Sequence, residues 1–304
     1  MMANCIRHAS RSAATITVLS TANGSESVLL SSPPSLLLSL SSWLAARVTR
    51  AGRCCSLSES SSSLPPLPPV PNIPAAVTEA LATMGIELEP GDAERLRAYL
   101  EALRDANTRF NVTAIVEPEA MWVRHIQDSL TLVPFLASAE AKAVIDIGSG
   151  GGLPGIPLAI VMPEVQFTLL EATGKKAAFI KETIAALGIS NARILNDRAE
   201  TAGQDHHDHR AKYDAVVARA VGKLNVLAEL TVPFAREAGS IFLIKGDKAA
   251  EEVEEAKPAL YKLHTHVVDL HKTATGTVVV LEKTRATPRN YPRLPGEPKR
   301  RPLG

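Results

Sequence analysis

The stretch Asp146-Ile147-Gly148-Ser149-Gly150-Gly151-Gly152-Leu153-Pro154-Gly155 decides the fold. It follows a short apolar run, Ala143–Ile147, and leads into an apolar segment opened by Pro154 and Pro157 that reaches Val161. An apolar run that stops at glycines and gives way to a proline-started segment predicts strand, loop and helix. Glycines let such a loop turn through left-handed conformations and approach a ligand closely. In a parallel sheet the loop lies at the carboxyl edge, where nucleotides bind. The alternation continues downstream. Val165–Leu170, Ala192–Leu195, Tyr213–Ala218 and Ser240–Ile244 predict strands, and Gly174–Leu187, Val221–Glu237 and Lys248–Lys257 predict helices. Strands alternating with helices make a parallel α/β sheet. His264–Leu270 and Thr275–Leu281, joined by a short connection, predict an antiparallel finish. Upstream, Leu96, Tyr99, Leu100 and Leu103 fall at helical spacing behind a Gly91-Asp92 start. Met121, Trp122, Ile126, Ser129, Leu130 and Val133 mark a second helix over 118–132. No strand pattern precedes residue 143, so 72–139 is expected to be a helical extension ahead of an α/β domain over 140–284. There is no internal repeat.

The chain has 304 residues, 45% of them hydrophobic, which suffices for one sizeable core. Three cysteines exclude a disulfide scaffold, and 4% aromatic residues leave few candidates for a stacking surface. Residues 1–71 stand apart. They are serine-rich, carry Arg7, Arg11, Arg47, Arg50 and Arg53, and hold only Glu26 and Glu59 as acids. Hydroxylated, arginine-bearing and acid-poor is the composition of an organelle transit peptide, and the serine content favours the chloroplast stroma over the mitochondrial matrix. Val28–Ala46 is the most apolar part, but prolines and serines interrupt it, so no membrane span is expected. Ser60–Ser63 and the proline-rich run to Pro71 read as a linker. Cys5, Cys54 and Cys55 all lie in this leader, so a cleaved chain keeps no thiol. Removing five bases and two acids leaves 28 basic and 30 acidic residues in 72–304. Six of those bases crowd into a tail, 285–304, with Glu297 as its one acid. Such a tail either meets phosphates or is merely solvated.

Two cofactors compete for the glycine loop. Gly150, Gly152 and Gly155 satisfy the dinucleotide spacing G-x-G-x-x-G, a weak signal by itself. Asp146, Gly148, Gly150 and Gly152 satisfy (D/E)-x-G-x-G-x-G, the loop of S-adenosylmethionine sites. The acid favours the second reading, because it would repel a pyrophosphate but suits the cationic methionine end of S-adenosylmethionine. Glu171, at the end of the next strand, is placed to accept ribose hydroxyls.

Several segments together resemble the bacterial small-subunit rRNA guanine-N7 methyltransferases, also called the glucose-inhibited division protein B family. The likeness covers 75–304 and rests on Phe110–Thr113, Arg124–Ser129, Asp146–Pro157, Leu170-Glu171 with Gly174-Lys175-Lys176, Arg198–Glu200, Ala218–Ala220, Lys245-Gly246 and the tail from Tyr291 to Pro298. The resemblance implies a Rossmann-like class I methyltransferase sheet and methyl transfer from S-adenosylmethionine to guanine N7 in the 530-loop region of 16S rRNA. It puts Gly148, Gly150, Gly152 and Leu153 on the cofactor, Glu171 on its ribose and Ala199 and Glu200 on its adenine. Arg219, at the edge between cofactor and substrate, is the candidate catalytic residue and a further candidate cofactor contact. Asn111, Arg124, His125, Lys245, Arg285 and Arg289 are the candidate RNA contacts, with Asn111 and Asp128 equally suited to buried hydrogen bonds. Guanine N7 carries a lone pair and no proton, so the absence of a general-base constellation is expected. The expected partner is small-subunit rRNA or a 30S-like particle, and the expected state a monomer.

Three further readings remain. Gln204-Asp-His206-His207-Asp-His209 looks metal-like but lacks a second ligand cluster, so it reads as a solvated loop and no metal is expected. The same fold could serve mainly in ribosome assembly. An NAD-dependent oxidoreductase is the remaining enzyme class.

Overall fold

Seven strands form one sheet in the order β3-β2-β1-β4-β5-β7-β6. They are β1 (Ala143–Ile147), β2 (Gln166–Leu170), β3 (Ala192–Leu195), β4 (Tyr213–Arg219), β5 (Ala235–Lys245), β6 (Thr265–Lys272) and β7 (Thr277–Lys283). The computed structural model describes residues 69–219 and 222–304. The leader's features, including Cys5, Cys54, Cys55, the Leu-rich stretch and the start of the proline run, lie outside them. Strands β1 to β5 pair in parallel, while β7 runs antiparallel to both β5 and β6. This is the expected Rossmann-like class I sheet. The chain winds outward from β1 to β3, then returns to lay β4 on the other side of β1. The crevice between β1 and β4 is therefore the topological switch point.

Alternating residues send β1, β4 and β5 into two cores. Val144, Val217 and Phe242 face one side, under α2 (Asp92–Arg109), α6 (Gly155–Val161) and α7 (Gly174–Ala186). Ile145, Val216 and Leu243 face the other, under α8 (Ala199–Ala202), α9 (Leu224–Thr231) and α10 (Ala249–Leu263). The helical extension, with α1 (Ala75–Thr83) and α5 (Val133–Ser138), shares the first core. Trp122, Tyr99, Leu100 and Leu103 are completely buried there, each worth about 1.5–3 kcal/mol against exposure. The described residues accordingly make one compact unit.

Three departures from the pattern in the sequence exceed a shift of one or two residues. The helix expected over 221–237 stops at Thr231, a 3-10 turn over Val232–Phe234 reverses the chain, and β5 begins at Ala235. The buried ammonium of Lys283 holds this corner by donating to the carbonyls of Val232 and Ala235. The helix expected to end at Lys257 continues through Pro258 to Leu263, because Ala259, Leu260 and Leu263 complete its buried face. The helix expected over 118–132 is interrupted by a π-helical turn, Trp122–Gln127, between α3 (Pro118–Met121) and α4 (Asp128–Leu130). Wide turns of this kind recur at functional sites.

The tail is not merely solvated. Arg210 donates to the carbonyls of Thr287, Pro288 and Tyr291, and Arg293 grips the fully buried carboxylate of Glu229 at 2.6 Å. Gln204 donates to the carbonyl of Pro292, and Leu303 is buried. Residues 287–303 thus strap across α8 and α9.

Candidate functional site

The glycine loop is built by what its neighbours forbid. Gly152 has φ +96°, and a Cβ there would collide with Ile156, so both conformation and space demand glycine. A Cβ on Gly151 would lie 2.7 Å from Leu103 and 2.8 Å from Val112. Gly150, at φ +59°, is the opposite case: only the Gly148 carbonyl, at 3.9 Å, lies near its absent Cβ. The loop therefore packs tightly on one flank and is open on the other. The Tyr99 hydroxyl donates to the Gly151 carbonyl at 2.9 Å, tying α2 to the loop. Tyr99→Phe leaves that carbonyl unpaired in a buried place and is expected to lower stability by about 1–2 kcal/mol. Urea unfolding checks it; an unchanged midpoint would rule out the tie as a support of the loop.

Two acids bracket the loop. Glu171 is nearly buried at the end of β2 and accepts from the Gly150 N–H at 2.9 Å and the Thr173 N–H at 2.7 Å. Its carboxylate sits at the mouth of the open flank. Asp146 does not stand in the crevice as its charge suggested. It is fully buried beneath the loop, where Oδ2 accepts from Ser149 Oγ and the Gly155 N–H, and Oδ1 has no partner. Burial pushes its carboxyl up to about 7, against the pull of those hydrogen bonds and of Arg219. Because the folded value exceeds the unfolded one, this group destabilises the fold as pH rises through 4 to 7. His125 acts in the opposite sense, since burial and then the charge of Arg219 lower it to about 4 and stability rises over 4 to 6.5. The difference in unfolding free energy between Asp146→Asn and the parent isolates the first. It is expected to move in favour of Asn by on the order of 3 kcal/mol between pH 5 and 8. A pH-independent difference would mean that Asp146 does not titrate there.

Beside the loop lies a cavity of about 290 Å³ lined by Thr113, Arg124, His125, Asp128, Arg219, Lys245 and Thr275 among others. Arg219, at the end of β4, organises it. Its Nη1 donates to the Arg124 carbonyl at 2.6 Å and to Asp128 at 3.3 Å, and its Nη2 faces His125 Nδ1 at 3.4 Å. Arginine can only donate, so Nδ1 accepts and Nε2 of the neutral His125 carries the proton toward Thr113 Oγ1, 3.0 Å away. Asp128 also accepts from the Thr275 hydroxyl, and Arg124 donates to the Thr275 carbonyl. The π-helical turn brings Arg124, His125 and Asp128 to this one arginine. The charge of Arg219 is also felt by Asp146 and Tyr99, which joins the cavity to the glycine loop.

The other candidates fall as follows. Leu153 is buried in the loop, and Ala199 and Glu200 are buried at the start of α8. Glu200 Oε1 accepts from Arg198 and from the Gly296 N–H of the strap. Lys245 lines the cavity but is not set for phosphate: its ammonium pairs with Glu252 at 2.8 Å and donates to the Gly222 carbonyl. Asn111 is exposed, not buried, whereas Asp128 is buried. Arg285 and Arg289 are exposed and do not line this cavity. In the histidine-rich loop, His207 is exposed and His209 stacks on Tyr213; among the described residues no cluster of potential metal ligands forms. Nothing in the sequence gives Tyr99, Ser149 or Thr275 a role in the site. Tyr99 and Thr275 act through partners far along the chain, and Ser149 through the carboxylate of Asp146 folded beneath the loop, pairings that spacing alone does not mark.

The family model "GidB: rRNA small subunit methyltransferase G" matches residues 92–279. A ribosomal RNA small subunit methyltransferase G of Sorangium cellulosum is 43% identical over 72% of this chain and 91% of its own length. One from Roseiflexus sp. is 41% identical over 72% and 95%. Among solved structures, cofactor-bound Rv0187 from MTB aligns with 20% identity and a TM-score of 0.48, covering 71% of this chain and 99% of its own. With the matched residues spanning the glycine loop, the π-helical turn and Arg219, the chain belongs to the rRNA small subunit methyltransferase G family.

Proposed function

We propose that the protein transfers a methyl group from S-adenosylmethionine to N7 of a guanine in the 530-loop region of small-subunit rRNA. The observation that carries this reading is the meeting of the open-flanked glycine loop and the Arg219 cavity at the switch point of the sheet. The residues fit the cofactor: Gly148, Gly150, Gly152 and Leu153 form the cradle, and Glu171 offers a carboxylate at its mouth. Ala199 and Glu200 begin the helix after β3 on the side proposed for adenine. Held by these residues, S-adenosylmethionine would supply an activated methyl on a sulfonium, and its transfer to the N7 lone pair, with loss of the carbon–sulfur bond, would leave the positive charge on the purine. The protein's task is to hold N7 in line with that carbon, and positioning of this kind is worth on the order of 7–11 kcal/mol at best.

The charges in the cavity suit a reaction that leaves its product cationic. Asp128 offsets Arg219, Glu252 offsets Lys245, and His125 stays neutral near pH 7. Thr113, His125 and Arg219 then form a hydrogen-bonding wall for a base presented outside its stack. Arg124, Asn111, Arg285 and Arg289 remain the proposed contacts to the RNA backbone. The serine-rich, acid-poor leader supports delivery to the chloroplast stroma; a fluorescent protein fused behind residues 1–71 that enters mitochondria instead would refute that part.

Incorporation of a labelled methyl group from S-adenosylmethionine into small-subunit rRNA, as naked RNA and as 30S-like particles, tests the activity. Label on particles alone would make the assembled particle the substrate. Particle binding with no label, and normal function after loss of the cofactor site, would replace this reading by one of ribosome assembly.

A further inference from the structure

The amino-terminal edge of β4 and β5, opposite the glycine loop, holds a further cavity of about 250 Å³. His206, Arg210, Lys283, Thr287 and Arg289 line it, with Glu237 as its only carboxylate. Its floor is two buried cations, Arg210 at 6% and Lys283 at 1% exposure. Neither has an ion-pair partner among the described residues. Arg210 spends its two terminal nitrogens on the carbonyls of Gly203, Thr287, Pro288 and Tyr291, and Lys283 spends two protons on Val232 and Ala235. That leaves the Arg210 Nε–H and one Lys283 N–H without an acceptor among the described residues. The Thr287 hydroxyl, in the same wall, is also buried with no partner.

Buried charges are costly unless paired, and here two cations approach each other instead. Burial and then the charge of Arg210 hold Lys283 down to about 8 against the opposing pull of Glu237, and Arg210 is itself lowered by burial and by Arg289. An anion between them would relieve the repulsion and take the spare donors. Arg289 and His206 are exposed at the rim, so the anion has an entrance.

We infer that this cavity is a phosphate-binding site, distinct from the methyl-transfer site and built from the strap, the β3–β4 connection and the end of β7. A phosphate presents tetrahedral oxygens that suit donors converging from several sides, and arginine and lysine are its usual partners. The group is either a backbone phosphate of RNA or free inorganic phosphate.

Inorganic phosphate is titrated into the full chain against chloride at equal ionic strength, by calorimetry and by thermal melting. Saturable binding and a raised melting temperature are expected. Thr287→Val and Arg289→Gln should each weaken phosphate binding by about fivefold or more, as expected for loss of a hydrogen bond to a charged group. Thr287→Val removes a hydroxyl that has no partner, so its melting temperature in chloride should not fall. That separates a lost ligand contact from a damaged fold. An RNA hairpin that displaces the phosphate would identify RNA backbone as the source, and RNA bound together with phosphate would identify the free ion. No saturable phosphate binding, or unchanged affinity in both variants, would overturn the site and leave the cluster as an anchor of the strap.

Discussion

Gly150→Val is expected to abolish cofactor binding, with a loss of 100-fold or more in affinity, while leaving a folded protein. The reason lies in the two-sided loop. At Gly150 a side chain meets nothing but the distant Gly148 carbonyl, so it projects into the open flank where a ligand would approach. The left-handed backbone adds strain of about 1–3 kcal/mol for a β-branched residue. At Gly152 the same change should instead prevent folding, because the left-handed conformation is joined by a collision with Ile156. Calorimetric titration of S-adenosylmethionine, with circular dichroism as the folding control, separates the two. Affinity within a few-fold of the parent in folded Gly150→Val would remove the loop as the cofactor site.

Arg219→Ala is expected to lower kcat/KM by about 100- to 1,000-fold, on the order of 3–4 kcal/mol of transition-state stabilisation. One side chain gathers the Arg124 carbonyl, Asp128 and His125 around the cavity, so its loss frees three groups at once and leaves Asp128 uncompensated. Arg219→Lys keeps the charge but replaces a planar fork by a point, and should recover only part of the rate. The affinity for S-adenosylmethionine should change far less than turnover in both. Steady-state kinetics with limiting RNA checks this, and activity within about fivefold of the parent in Arg219→Ala would contradict the role given to the cavity.

Most of the sheet was legible because its signals are local. Ala143–Ile147 is an apolar run closed by glycines, and Gly155–Val161 is opened by prolines; both elements have the bounds their residues announce. Where the reading failed, the deciding interaction was distant. Arg236 and Glu237 look like the polar face of a helix, yet they lie on β5 because Lys283, nearly 50 residues on, fixes the corner before them. The π-helical turn is invisible in a helical periodicity that a single wide turn barely disturbs. The basic tail reads as either phosphate-contacting or solvated, and not as packed, because its partners Arg210 and Glu229 lie far upstream.

The glycines of the site could be identified from their spacing, and Arg219 from the resemblance and its position after an apolar strand. The use each acid makes of its charge could not. Asp146 was expected to act on a ligand and instead braces the loop from below, held there by the Gly155 N–H and the Ser149 hydroxyl at a cost that its raised pKa records. Lys245 was a candidate for phosphate until the fold set Glu252 beside it.

Which atom is methylated is read directly by one mapping experiment. Small-subunit particles lacking the modification are incubated with the protein and S-adenosylmethionine, and 7-methylguanosine is mapped by borohydride reduction and aniline cleavage. One new cleavage in the 530 loop, lost in Gly150→Val, is the predicted result. Tight cofactor binding with no cleavage on either particles or naked rRNA would contradict it.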